Sequence, residues 1–170
     1  KYDFSGANKV ILNYLTNTMS SFYMDFTKDI LYCNDKEDSR RRKVQTVLYY
    51  CAKTITKLIS PVLVFTAEEI HDYFNCDNHK EESIFLEKSP ELFSIKDQEQ
   101  IIERFERFLT VRSDVMKSLE ELRQNKIIKS NMEAKVTISL KDEYKDLAEL
   151  KDEMATLFIV AKADITDQTD

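Results

Sequence analysis

The densest cationic run in the chain is Arg40-Arg41-Arg42-Lys43. It is predicted to form the first turn of a long helix capped by Asp38 or Ser39. Four positive charges there oppose the helix dipole, which favours anions at that end. A bound phosphate would relieve the conflict, so the chemistry on offer is anion binding, not bond-making. A charge run is more often a solvated face, and these residues alone leave both readings open. Tyr50 lies off the apolar stripe of the same helix, which makes its ring a candidate platform for a stacked base. Arg104 to Lys135 holds eight basic and five acidic residues, with Lys126 and Lys129, near the expected end of the bundle, predicted to be its most exposed members.

No catalytic constellation stands out. His71 and His79 are the two histidines, and neither adjoins a Ser or Cys in a nucleophile motif. The carboxylate pairs Glu68-Glu69 and Glu120-Glu121 are adjacent in helical segments, where neighbours diverge by about 100° and cannot converge on one bond. His71, Cys76 and His79 are potential metal ligands, but their spacing is not a standard one and no C-x-x-C exists. A polar loop after a helix explains them better. The sequence therefore points to no catalytic residue, no metal ligand and no cofactor in this chain.

Composition narrows the field further. One glycine, Gly6, cannot supply a glycine-rich phosphate loop. The net charge is -6, the wrong sign for a simple nucleic-acid binder. The charge is uneven: residues 1–74 carry 10 Lys/Arg and 9 Asp/Glu, whereas residues 75–170 carry 15 and 22. Any polyanion would have to meet a local patch. Three scattered cysteines, Cys33, Cys51 and Cys76, fit a reducing compartment. No apolar stretch approaches a membrane span. The chain starts at Lys1 and enters a helical pattern at once, so it reads as a fragment.

The elements that would position these residues are mostly helices. Val10, Ile11, Tyr14, Leu15, Phe22, Tyr23, Phe26, Ile30 and Leu31 recur at helical spacing, with Ser20-Ser21 expected to break or bend the run. Val44, Leu48, Cys51, Ile55 and Leu58 form the stripe of a bundle helix that ends at Ser60-Pro61. Thr66 and Glu69 read as a capping box for a helix over 67–74. Residues 75–96 read as irregular, with an extended piece at 83–86. A helix over 97–125 buries Ile101, Phe105, Phe108, Val115, Leu119 and Leu122, with Arg112 in register. The period then shifts to two at Ala134, Val136, Ile138 and Leu140, a half-buried strand. A helix over 144–154 and a second strand over 157–161 complete a β-α-β unit. The expected fold is mainly α: a helical bundle over 1–130 and a small α/β appendage over 131–170.

Three segments together resemble one family. They are Phe22-Tyr23-Met24-Asp25-Phe26-Thr27-Lys28-Asp29-Ile30-Leu31-Tyr32, then Arg41-Arg42-Lys43-Val44-Gln45-Thr46-Val47-Leu48-Tyr49, then Ser60-Pro61-Val62-Leu63-Val64-Phe65-Thr66-Ala67-Glu68-Glu69-Ile70. Their order and spacing are similar to the anticodon-binding helical domain of class I aminoacyl-tRNA synthetases for aliphatic amino acids. Glu82 to Leu86 and Leu119 to Ala134 resemble the isoleucine branch in particular. Departures are Ile30 where arginine is common, His71 where tryptophan is usual, Lys129 where glycine is usual, and the missing cysteine-rich zinc tail.

The resemblance implies a piece of an isoleucine–tRNA ligase, with ATP and magnesium used elsewhere in the parent chain. It implies three further properties: an isoleucine-tRNA anticodon stem-loop and the rest of the synthetase as partners, a cytoplasmic location, and a monomer. In that reading Arg40, Arg41, Arg42 and Lys43 meet the RNA backbone, Lys28 and Lys53 extend those contacts, Gln45 reads a base edge and Tyr50 stacks. The alternatives are the same domain from a valine, leucine or methionine enzyme, and a helical protein-interaction module that binds no RNA.

Overall fold

The structure is a computed structural model, and it describes residues 2–74, 81–88, 91 and 94–166. It is mainly helical with one small sheet, as the hydrophobic periods predict. Two compact units are present, Lys1–Phe93 and Ser94–Asp170.

The first unit opens with α1 (Phe4–Asn13), capped by the Asp3 carboxylate, which accepts from the Gly6 N–H at 2.8 Å. A Cβ at residue 6 would lie 2.6 Å from Asp3 Oδ2, so glycine lets the cap close tightly. The chain does not break at Ser20-Ser21. It widens into a π-helical segment (Tyr14–Met24) that runs into α2 (Asp25–Cys33). Ser21 Oγ donates to the Thr16 carbonyl five residues back, at 2.8 Å, in keeping with the wider turn.

A turn over 34–38 leads to α3 (Ser39–Ile59), which packs against α2 and α4 (Val64–Asp72). Met19, Ile30, Val44, Ala67 and Ile84 are the buried apolar residues of this unit among those described. Thr27, Thr56 and Ser60 are buried beside them. Each returns its hydroxyl to a helix carbonyl, on Tyr23 (2.7 Å), Ala52 (2.8 Å) and Lys57 (2.9 Å), which removes the cost of burying an unsatisfied polar group.

Two expectations fail here. Helix α4 starts at Val64, so Thr66 lies inside the first turn and cannot cap it; Leu63 occupies the cap position with no side-chain bond. Residues 83–86 form a turn instead of an extended piece, closed by Leu86 N–H donating to the Ser83 carbonyl at 3.0 Å. Glu68 explains the difference. Its carboxylate accepts from Ser83 Oγ and from the Ile84 N–H (3.3 Å), which curls the segment onto α4.

The second unit is built on α5 (Gln98–Gln124), whose buried residues are Phe108 and Leu119. Of the expected buried face, Phe105, Val115 and Leu122 are half-buried and Ile101 is exposed. After a short 3-10 turn (Asn131–Glu133) come β1 (Lys135–Ser139), a 3-10 segment (Asp142–Glu153), α6 (Met154–Phe158) and β2 (Lys162–Thr166). The strands pair in parallel, from Lys135 opposite Lys162 to Ser139 opposite Thr166. The second strand therefore lies beyond the expected 157–161. Leu157 and Phe158 end α6 and are buried, and Ile159 turns the chain with φ 55°. A short apolar run fits a buried strand or a buried helical turn equally well by period. The segment expected as a helix over 144–154 winds mostly as a tighter 3-10 helix.

Packing groups α5 with the tail, whereas the sequence reading divides the chain at 130/131. Phe108 meets Phe158 with ring centroids 5.4 Å apart, and Arg107 Nη2 reaches Asp146 Oδ2 at 2.6 Å. Arg104 pairs with Glu149 at 2.7 Å, and Arg112 Nε donates to the Leu157 carbonyl at 3.3 Å.

Candidate nucleic-acid interface

Helix α3 presents the cationic run. Asp38 caps it, accepting from the Arg41 N–H at 2.9 Å and from Asn34 Nδ2 at 3.1 Å. These bonds, the backbone N–H of Arg41 foremost, hold the Asp38 carboxyl below its usual range. The cap satisfies a helix N–H and places one negative charge beneath the run.

The four basic side chains do not behave alike. Arg40, Arg42 and Lys43 are exposed, but Arg41 is half-buried. Its Nη1 donates to the Asn34 carbonyl at 3.0 Å, and its Nε is enclosed with no acceptor. Arg42 Nη2 lies 3.0 Å from both oxygens of Glu37. Sequence reasoning missed both partners; the acidic residues Asp35, Glu37 and Asp38 just before the run could have signalled the Glu37 carboxylate, whereas the Asn34 backbone carbonyl leaves no mark in the sequence.

At 100° per residue, Arg42, Lys43, Thr46, Tyr50 and Lys53 fall within an arc of about 100° on α3, whereas Gln45 falls nearer Arg41 on another flank. Gln45 is exposed, and Tyr50 is 44% exposed. The Tyr50 ring meets Tyr49 edge-on at 5.5 Å, and Tyr49 in turn meets Phe74 at 5.8 Å. Tyr49 is therefore the packing member of the pair. Lys53 is half-buried and lies 3.9 Å from Glu87. Lys28, on α2, is exposed and pairs with Asp25 at 2.7 Å, which raises the Lys28 pKa.

Two other candidates for chemistry, His71 and Glu68, have internal partners. His71 is buried, with Nε2 2.9 Å from the Glu81 carbonyl. Cys76 and His79 lie outside the described residues. Glu68 is held by Ser83 and Ile84, which lower its pKa, the Ser83 hydroxyl most. Among the described residues no three His, Cys, Asp or Glu side chains come together as a metal site. No helix among them is long and apolar enough to cross a membrane.

A family model described as the anticodon-binding domain of tRNA ligase matches residues 1–138. The chain belongs to that family. This anticodon-binding domain is 38% identical over 170 residues to the isoleucine–tRNA ligase of Streptococcus agalactiae serotype Ia, an alignment covering 99% of the chain and 18% of that protein. It is 38% identical over 168 residues to the isoleucine–tRNA ligase of Latilactobacillus sakei, covering 98% and 18%. The corresponding figures for Staphylococcus carnosus are 35% over 171 residues, 99% and 18%. The domain thus spans about a fifth of the curated relatives it matches, and the likeness continues through the sheet-bearing tail.

Proposed function

We propose that this domain holds the anticodon stem-loop of an isoleucine tRNA within a longer, cytoplasmic, monomeric isoleucine–tRNA ligase. The catalytic part of that ligase, outside this chain, would use ATP and magnesium. The observation that carries the reading is the exposed cationic first turn of α3 in a domain of the anticodon-binding family. Arg40, Arg42 and Lys43 meet backbone phosphates, and Lys53 and Lys28 extend the track once their acidic neighbours yield. Tyr50 stacks a loop base, and Gln45 offers both a donor and an acceptor to a base edge on the adjoining flank. Arg41 contributes mainly by holding the 34–38 turn. The boundary at 130/131 is retained as a functional division, with the β-α-β tail as a junction to whatever follows.

The test is binding of the 170-residue chain to an isoleucine-tRNA anticodon stem-loop at low salt, against a loop with an altered anticodon. Preference for the isoleucine anticodon supports the proposal. Equal binding reduces the surface to a general docking face.

One observation favours a second reading, a protein-interaction module. A groove of about 910 Å³ is lined by apolar residues including Val10, Ile11, Ile55 and Leu58. Absence of RNA binding at low salt would favour that reading.

A further inference from the structure

We infer that Glu37 is an intramolecular phosphate mimic that competes with RNA for Arg42 and so lowers the affinity of the cationic run. This rests on the RNA-binding reading above. Both Glu37 oxygens lie 3.0 Å from the single nitrogen Arg42 Nη2, so the carboxylate occupies a donor that a phosphate oxygen would otherwise accept from. The turn that carries Glu37 is pinned independently of that pair. Glu37 N–H donates to Asp35 Oδ1 at 2.9 Å, Asp38 N–H to the Asp35 carbonyl at 3.0 Å, and Arg41 Nη1 to the Asn34 carbonyl at 3.0 Å. The competing carboxylate is therefore presented in place before any RNA arrives.

Its side chain is 66% exposed and that of Arg42 56%, so RNA can reach the pair. An exposed ion pair is weak and is screened by salt. It can thus be displaced, but only at a cost that any loop using Arg42 must meet. Cognate and altered loops meet the same cost. The device tunes affinity and release, not the choice of anticodon.

The test is a double-variant cycle on the 170-residue chain: wild type, Glu37→Gln, Arg42→Ala and the pair, each titrated with the isoleucine-tRNA anticodon stem-loop and an altered loop. Glu37→Gln is expected to tighten both loops about two- to fivefold at low salt, with their ratio unchanged and the gain shrinking as salt rises. In the Arg42→Ala background most of that gain is expected to vanish. The full gain persisting without Arg42 would overturn the inference, leaving only bulk charge. No gain in a wild-type background that binds RNA would also overturn it. Failure of both wild type and Glu37→Gln to bind any loop would instead remove the RNA-binding reading and this inference with it.

Discussion

The Arg41 guanidinium donates to the Asn34 carbonyl across the turn that begins α3, at 3.0 Å, while Arg42 beside it faces Glu37 at the surface. Adjacent arginines thus sit in different surroundings, Arg41 bonded to the backbone of the turn and Arg42 paired at the surface. Arg41→Ala is expected to cost about 1–2 kcal/mol of stability, the scale of a charge-assisted hydrogen bond partly compensated by water. Thermal melting checks this. Arg42→Ala and Lys43→Ala are expected to melt like wild type, yet bind RNA more weakly and flatten the salt dependence by about 0.7–0.9 in log–log slope per lost phosphate contact. Combining Arg41→Ala with Arg42→Ala is expected to show both defects. An unchanged salt slope for Arg42→Ala would remove that residue from the interface.

Tyr50 and Tyr49 make a second contrast on the same helix. Tyr50→Ala is expected to weaken stem-loop binding by about 1–3 kcal/mol, the range for losing one base–aromatic stack, while Tyr50→Phe retains binding. Tyr49→Ala is expected to lower the melting temperature instead, because its ring packs on Phe74. Fluorescence titration alongside melting separates the two, and equal RNA affinity for Tyr50→Ala and wild type would exclude stacking.

Acid is expected to loosen both units. Asp38 and Glu68 in the first, and Asp146 in the second, are held below the ordinary carboxylate range. The chief causes are the Arg41 N–H, the Ser83 hydroxyl and the Arg107 guanidinium respectively. Because the folded pKa is depressed, the unfolded chain binds protons first. The stabilisation is complete above the unfolded values, about 4, and is lost as pH falls through the folded ones. Melting temperature should therefore be flat from about pH 7 to pH 5 and fall below about pH 4. Glu68→Gln and Asp146→Asn are expected to be less stable near neutral pH and to have shallower acid slopes. Acid slopes equal to wild type would show that these carboxylates do not drive the loss.

Phe108 is fully enclosed and packs on Phe158 in the second unit. Phe108→Ala is expected to cost about 3–5 kcal/mol, the usual penalty for emptying an aromatic core site. Phe108→Leu should cost less. Denaturant unfolding measures both, and a change under 1 kcal/mol for the alanine variant would contradict the packing described (about 3 kcal/mol being the low end expected).

Much of the architecture was legible in the residues themselves. Helix α3 was readable from the Val44-to-Leu58 stripe, from a cap at Asp38 or Ser39 and from Ser60-Pro61, because helical period and end signals are local; the structure places the cap at Asp38. The strand at 135–139 was equally plain from alternation. The family motifs around Arg41, Phe26 and Pro61 reached the anticodon-binding family without coordinates. What local signals could not decide was settled by distant partners. Leu157-Phe158 looked like a strand, but burial against Phe108 is met equally well by a helical turn. Ser83-Ile84 looked extended until Glu68, fifteen residues earlier, supplied acceptors. The run from Arg40 to Lys43 read as four equivalent charges. Only the fold brought the Asn34 carbonyl to Arg41 and the Glu37 carboxylate to Arg42, since a hydrogen bond depends on where two groups meet in space and the period of a sequence reports only the face on which each begins.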